Sequence, residues 1–137
     1  MHDKARDIEA INALLASHVK AVNSSDITAN LMGFTEDVVY LPPEAPPVLG
    51  KPALAAFVES FYSAFSAEIE MIPEDTVVSG DWAFQWGNLT GEVWPLKGGD
   101  GSQMDWKWLY IYQRQPDGSW KVARDIYNSN GPSVEGS

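Results

Sequence analysis

His18 is the residue of this chain best suited to move a proton. It lies four residues after Leu14 and four before Val22, so on a helix its side chain shares the apolar stripe. A buried imidazole can accept or donate a proton near neutral pH, which few other side chains here could do. Two interpretations are open: a proton-transfer group, or a core histidine satisfied by a single hydrogen bond.

Asp125 on the last predicted strand could act as the partner of His18. A carboxylate next to an imidazole holds its tautomer and raises its basicity. The alternatives are a structural salt bridge with Arg124 or Lys107, or a hydrogen bond to a tyrosine. Because strand side chains alternate between faces, one face carries Ala123, Asp125 and Tyr127, and the other carries Val122, Arg124, Ile126 and Asn128.

The elements that would position these residues are helices first and strands afterwards. Helical spacing predicts a first helix of about six turns from Asp3, a short second helix capped by Asp26 and running through Phe34, and a third from Lys51. The apolar stripe of the third helix is Leu54, Phe57, Val58, Phe61 and Phe65. Strands are predicted at 38–41, 67–78, 81–95, 102–114 and 119–128. This order indicates an α+β fold whose antiparallel sheet wraps round its helices and encloses a pocket.

Length and composition narrow the class of protein. At 137 residues the chain is one domain, residues 1–137, with 131–137 expected to be a frayed tail. The net charge of −10 and the lack of a basic cluster argue against nucleic acid and anionic membranes as partners. The sequence shows no apolar run long enough to predict a membrane span and no basic leader that would predict export. A cytoplasmic location is therefore expected. No cysteine is present and the two histidines lie far apart, so neither a metal nor another cofactor is expected.

Four segments resemble a known family: SSDITANLMGFTEDVVYL, VLGKPALAAF, DGSW and WKVARDIYNSN. They resemble the nuclear-transport-factor-2-like superfamily, and within it the SnoaL-like and ketosteroid-isomerase-like proteins, over roughly residues 8–130. The resemblance implies a cone, that is, a curved antiparallel sheet with three helices on its concave side, also described as a cystatin-like α+β barrel. It further implies an apolar cavity and a homodimer formed through the outer sheet face. The superfamily hosts several enzyme types and plain association domains, so it fixes fold more firmly than function.

Compared with ketosteroid isomerase, the chain resembles only part of that enzyme's site. His18 falls where the enzyme has its pocket tyrosine, and Tyr110 falls where it has a protonated aspartate. The enzyme's general-base aspartate falls on Leu41 or Pro42, which cannot abstract a proton. Steroid isomerisation by that mechanism is therefore not expected. The resemblance also implies that the strand face carrying Asp125 points toward the cavity.

Aromatic side chains are predicted to form the rest of the cavity wall. Strand alternation and helical spacing, together with the inward face of Asp125, predict that seven aromatic side chains point inward: Tyr40, Phe57, Phe61, Trp108, Tyr110, Tyr112 and Tyr127. The inward face of strand 81–95 stays open, because a bulge would exchange its two faces. Such a wall would bind a flat or polycyclic apolar molecule, unless the rings fill the cone and leave no volume.

Two functions follow from this wall. The first is an enzyme that performs isomerisation, cyclisation or dehydration with His18 and Asp125 as acid/base groups. The second is a ligand-binding or dimerisation domain in which these two residues are a satisfied buried pair. In either case, Trp and Val rows on the outer sheet face predict a homodimer.

Overall fold

Three helices and one curved sheet make up residues 3–131, the part of the chain that the computed structural model describes. The predicted tail at 131–137 lies, apart from its first residue, outside the described residues. The helices are α1 (Lys4–Asn23), α2 (Ile27–Met32) and α3 (Lys51–Ala64). The strands are β1 (Phe34–Leu41), β2 (Val48–Leu49), β3 (Phe65–Ser79), β4 (Trp82–Pro95), β5 (Ser102–Arg114) and β6 (Trp120–Ser129). The predicted α+β class is confirmed.

Local side-chain chemistry sets where the helices begin. The Asp3 carboxylate accepts the backbone N–H of Ala5 at 2.9 Å and starts α1, while Asp26 accepts that of Ala29 at 3.0 Å and starts α2. Both satisfy N–H groups that have no partner within the helix. At Gly50 the chain adopts a φ of 88°, which glycine tolerates, and α3 follows directly.

Two predicted helix ends are wrong, and each error moves a phenylalanine into a strand. The second helix stops at Met32, and Phe34 begins β1 with only 1% of its surface exposed. Phe65 begins β3 and is 39% exposed, so it does not continue the stripe of α3. Helical spacing extends past the true end in both cases because a residue at the start of a strand can be apolar too. The two-residue strand β2 was too short to predict.

The sheet has the order β2-β1-β6-β5-β4-β3. Its neighbours are antiparallel except for β1 and β6, which pair in parallel with Tyr40 opposite Asp125. The expectation of a wholly antiparallel sheet is therefore wrong at this one pairing. No hairpin connects β1 with β6, so the short turns that enforce the antiparallel arrangement elsewhere do not act on them.

Bulges decide which side chains reach the interior. In β3 the register shifts between Pro73 and Asp75, so the inward residues are Ala67, Ile69 and Met71 before the shift and Val78 after it. In β4, which has no shift of its own, Gln85 and Leu89 face inward while Trp86 faces outward. In β6 a second shift leaves both Val122 and Ala123 buried, at 4% and 1% exposure. The prediction that Val122 lies on the outer face with Arg124 is therefore wrong, because a bulge adds one residue and breaks the alternation.

Candidate functional site

A cavity of about 530 Å³ lies between the helices and the concave side of the sheet. The predicted catalytic residues His18 and Asp125 both line it. So do six of the seven residues predicted to contact a ligand: Tyr40, Phe57, Phe61, Trp108, Tyr110 and Tyr127. The aromatic rings therefore surround a hollow, and the interpretation that they fill the cone does not hold.

Tyr112 is the one predicted ligand contact that does not line this cavity. Its hydroxyl donates to the side-chain oxygen of Gln85 at 2.7 Å, and Gln85 donates to Asn12 at 2.8 Å and to Thr76 at 2.9 Å. Tyr112 does point inward, as alternation predicted, but at a level of the cone where α1 already covers the sheet. There it serves a buried polar network, which must be fully satisfied to be stable.

His18 lies on the cavity wall with aromatic rings around it. Its ring meets Phe34 edge-on at a centroid distance of 5.7 Å and Tyr110 at 6.0 Å. Among residues 3–131, none forms a hydrogen bond with its imidazole, so the interpretation as a satisfied core histidine does not hold. Burial lowers the pKa of His18 to about 4, because charging the ring away from bulk water is unfavourable. The imidazole is consequently neutral at physiological pH.

Asp125 is 2% exposed, and its Oδ1 atom has no hydrogen-bond partner among the described residues. Burial raises the pKa of this carboxyl well above its usual range, and a hydrogen bond from Tyr110 lowers it only in part. The alternative salt bridges are not formed. Arg124 donates instead to the carbonyl of Ala123 at 2.7 Å, and Lys107 donates to that of Ser129 at 3.1 Å.

The expected direct pairing of His18 with Asp125 is also absent. The two residues share one cavity, but no hydrogen bond joins them, and the pKa of His18 is lowered where a neighbouring carboxylate would have raised it. Because the two groups do not contact each other, burial acts on each of them alone and disfavours the charged form of both. Tyr110 lies beside both groups and contacts each of them.

Hydroxyl groups flank Asp125 on both neighbouring strands. In the sheet register Tyr40 on β1 and Tyr110 on β5 lie directly beside it. Tyr40 and Tyr127 share a hydrogen bond of 2.7 Å between their hydroxyl oxygens. Burial raises the pKa of Tyr127 to about 12 and raises those of Tyr40 and Tyr110 well above their usual value. All three phenols therefore keep their protons and can donate hydrogen bonds.

Burial favours the uncharged form of the titratable groups that line the cavity. No lysine, arginine or glutamate is among the described residues that line it, and burial lowers the pKa of its imidazole and raises the pKa values of its carboxyl and phenols. Asp125 is the one acidic residue among the described residues that line the cavity. A charged ligand would lose its hydration in this site without gaining a counter-charge.

Sequence reasoning missed several residues of this wall. Asn30 in α2 is buried and donates to the hydroxyl of Tyr62 at 3.0 Å, and both line the cavity. The sheet adds a further apolar set: Ala67, Ile69, Met71, Leu89, Val93, Met104 and Trp106. Alternation in β3 and β4 would have found most of this set had the bulge position been known. Asn30 offered only a weak signal, a single polar residue on a short helix.

No metal or membrane feature emerges from residues 3–131. In that range there is no cluster of three or more histidine, cysteine, aspartate or glutamate side chains that could hold a metal ion. Among the helices described, none combines the length and apolar character needed to cross a bilayer.

A curved sheet closed round three helices, with its polar groups on the inner wall, defines the cone-shaped class of α+β proteins. The SnoaL-like domain family model matches residues 15–123, and the chain therefore belongs to that family. No curated protein matches the sequence significantly.

Solved structures support the same class. A ketosteroid isomerase-like protein from Erwinia carotovora atroseptica is similar at a TM-score of 0.85 and 25% identity, over 92% of this chain and 98% of that one. A conserved protein from Planctomyces limnophilus is similar at 0.82 and 26%, over 88% and 94%. A nuclear transport factor 2-like superfamily protein from Salmonella enterica is similar at 0.85 and 13% identity, over 98% and 99%, which supports the fold alone.

Proposed function

We propose that this protein is an enzyme that moves protons within a flat, uncharged, apolar molecule, in an isomerisation, cyclisation or dehydration, without a cofactor. The observation that carries the proposal is that His18 and Asp125 line the same cavity. The first is an imidazole that stays unprotonated, and the second a carboxyl whose Oδ1 lacks a partner. Groups whose environments push their pKa values in opposite directions are suited to act as base and acid at the same pH.

In this scheme His18 removes a proton from a carbon next to a carbonyl or hydroxyl of the ligand. Asp125 donates its proton, or a hydrogen bond, to the oxygen on which negative charge develops. Tyr110 and the hydrogen-bonded Tyr40 and Tyr127 add neutral donors around the same oxygen. Donors fixed in a water-poor cavity stabilise such charge more strongly than water does, because they need not reorient during the reaction. When the acid and base exchange roles, the proton returns to a different atom.

The neutrality of the cavity selects the ligand class, and binding tests it directly. We expect naphthol to quench the fluorescence of the Trp106 and Trp108 pair on the wall, while naphthoate, of similar size but anionic, leaves it unchanged. Isothermal calorimetry gives the two affinities. Equal affinity for the two compounds would contradict an uncharged ligand.

Proton transfer can be tested without the natural substrate. Tetralone, a flat ketone with acidic hydrogens next to its carbonyl, exchanges those hydrogens for deuterium in heavy water, and NMR follows the rate. We expect the protein to accelerate this exchange and His18→Ala to abolish the acceleration. Asp125→Asn should retain binding but lower the rate by about 10²-fold or more, in the range of a lost acid/base group. Phe61→Leu, also on the wall, is the matched control and should lower the rate far less.

The second candidate, a ligand-binding domain without catalysis, rests on a specific observation, the missing hydrogen bond between His18 and Asp125. If tetralone binds and its hydrogens exchange no faster than in buffer, binding alone is the function. If exchange is accelerated equally in the His18→Ala protein, the site lies elsewhere and the catalytic assignment is wrong.

A further inference from the structure

A second cavity reaches His18 from the other side. Its volume is about 370 Å³, and it shares with the main cavity the four residues His18, Asn30, Phe34 and Tyr110. These four residues therefore form a partition between two spaces. Tyr112, which is absent from the main cavity, lines the second one.

The two cavities open at different places on the surface. Exposed Ser102 and Gln103, at the start of β5, lie at the rim of the main cavity. Exposed Ser17, Ala29 and Ser119 lie at the rim of the second. Ser119 is in the turn beyond the far end of β5, a strand of 13 residues, which at about 3.3 Å per residue is roughly 40 Å long. The openings are thus at opposite ends of that strand.

The imidazole borders open space at both of its nitrogens. No described residue hydrogen bonds to either nitrogen, yet neither is among the fully buried side-chain atoms left without a partner, which are Thr35 Oγ1 and Asp125 Oδ1. Both ring nitrogens are therefore reachable by a water-sized molecule. Since His18 lines both cavities, water can approach its ring from either space.

We propose that the second cavity is a water-filled proton port, through which His18 exchanges protons with solvent while a ligand occupies the main cavity. The inference rests on the proposed function of His18. A proton taken from the ligand by one nitrogen is matched by a proton released from the other nitrogen to water in the port. The reverse transfer, from that water through the ring, then returns a proton to the ligand. The ring changes tautomer and stays neutral throughout. This avoids the imidazolium form, which the burial of His18 makes unfavourable.

The port is tested by closing its rim and measuring access to His18. Diethyl pyrocarbonate acylates neutral imidazole, and in a His2→Gln background His18 is the single histidine of the chain. Mass spectrometry of the peptide that carries His18 gives the acylation rate. We expect Ala29→Phe to lower that rate by about fivefold or more, since a filled channel excludes the reagent. Thr28→Phe, at the exposed neighbouring position outside both cavities, should leave it unchanged.

A second pair of variants keeps the test independent of one substitution. Ser17→Phe closes the rim from α1, and Ala16→Phe is its exposed control. Circular dichroism checks folding in each case. The proposal of a port is contradicted if neither rim variant slows acylation of His18, or if the control variants slow it equally.

Tetralone exchange then separates the port from the proposed function. We expect the rim variants to bind tetralone normally and exchange its hydrogens several-fold more slowly. Slower acylation with undiminished exchange would overturn the proton role of the port. No accelerated exchange in the unmodified protein would overturn the proposed function, while the acylation result would still decide whether a second opening reaches His18.

Discussion

At the scale of single residues, burial without partners determines the protonation of this site. His18 and Asp125 carry opposite charges when ionised and would stabilise each other in direct contact. The structure keeps them apart, so burial lowers the pKa of one and raises that of the other. Burial thus favours the neutral form of both, which is the state that proton transfer to and from an uncharged ligand requires.

The lowered pKa of His18 makes the free energy of unfolding depend on pH. Between its ordinary value of 6.5 and the folded value of about 4, the unfolded chain binds a proton that the native protein does not. The contribution of His18 to the free energy of unfolding is therefore complete above pH 6.5. It is lost as the pH falls toward 4, by roughly 3 kcal/mol in total. We expect His18→Gln to remove this part of the acid-side slope. Urea unfolding at a series of pH values measures it.

Ala16→Gln, an exposed change two residues away on α1, is the control for the helix itself and should keep the slope of the parent protein. Identical slopes for His18→Gln and the parent would mean that the imidazole titrates normally in the folded state.

Asp125 should act on stability in the opposite sense. Because its folded pKa is raised, the native state holds a proton that the unfolded chain releases above pH 3.8. Stability is therefore greatest below that value and falls as the pH rises toward the folded pKa. We expect Asp125→Asn to remove this decline, so that its advantage over the parent grows as the pH rises from 3.8 toward the folded pKa. Thermal unfolding across that range checks the trend, and a constant difference between the two proteins would refute it.

The sequence was enough to identify these two residues and not enough to describe their chemistry. The spacing of His18 on α1 indicated its inward direction, and the resemblance to known enzymes indicated that of Asp125. Whether they touch depends on distances across the cone, which are set by α1, β5 and β6 together. The same holds for the Tyr40 and Tyr127 pair, whose members lie 87 positions apart in the chain.

At the scale of elements, one ion pair fastens α1 to the sheet. Both terminal nitrogens of Arg114 on β5 donate to the Asp7 carboxylate, at 2.8 and 2.9 Å, and the Arg114 and Asp7 side chains are 7% and 10% exposed. The guanidinium also lies 4.4 Å from the centre of the Trp120 ring. A bidentate ion pair of this kind constrains geometry as well as adding stability. It therefore helps to fix the position of α1 on the sheet, and with it the position of His18.

We expect Asp7→Asn to destabilise the fold by about 2–4 kcal/mol, because it leaves a nearly buried guanidinium without the carboxylate that accepts two of its hydrogen bonds. Asp81 is the matched control. It accepts from the same Arg114 at 3.1 Å, but its side chain is 69% exposed, so Asp81→Asn should cost at most about 1 kcal/mol. Denaturant unfolding of both variants compares them, and equal losses would show that burial does not determine the strength of the contact.

The curvature of the sheet depends on a glycine opposite the β3 bulge. Gly87 pairs with Pro73 immediately before the register shift, and an added Cβ would collide with the backbone of Ile72. Backbone atoms cannot move aside as the end of a side chain can, so β3 would have to shift. Strand bends of this kind enclose the cavity that flat strands could not.

Gly87→Ala should therefore destabilise the protein by about 2 kcal/mol or more and reduce naphthol binding. Gly33→Ala is the comparison, since its added Cβ would meet the side-chain tip of Leu14 at 3.4 Å and the carbonyl oxygen of Asn30 at 4.0 Å, both without a collision. Thermal unfolding and fluorescence quenching report the two effects. A Gly87→Ala protein as stable as the parent would show that the β3 backbone can shift without lowering the free energy of unfolding.

Sequence periodicity located the long elements well and their irregularities poorly. Four predicted strands agree with β3 to β6 to within two residues at each end, and α1 and the start of α3 also agree. The bulges and the parallel pairing of β1 with β6 arise from contacts between strands, which the local pattern of a single strand does not contain. Those contacts decide which side chains face the ligand.

At the scale of the whole molecule, the convex side of the sheet presents an apolar surface. Its large side chains lie side by side across neighbouring strands, with Val77 beside Phe84, and Trp86 beside Leu109, which in turn lies beside Ile126. Each of these is between 36% and 43% exposed in the single chain. Contiguous apolar surface of this extent is unusual on a monomer and typical of an interface.

We propose that two copies pair through this surface, with a net charge of −10 on each. A standard interface buries about 800 Å² on each partner. We expect sedimentation velocity to find a dimer at micromolar concentration, and Trp86→Glu to convert it to monomer, since it places two carboxylates in an apolar contact. Met32→Glu, at an exposed apolar residue of α2 away from the sheet, should leave the dimer intact.

Salt should strengthen this dimer, because it screens the repulsion between two acidic chains and leaves the apolar contact unimpaired. The dissociation constant, measured by sedimentation at low and at near-physiological ionic strength, is therefore expected to fall as salt is added. A dimer held mainly by ion pairs would respond in the opposite direction. A monomer under both conditions would show that the convex face stays open, and its rows of tryptophan, phenylalanine and leucine would then have to be covered by a different partner.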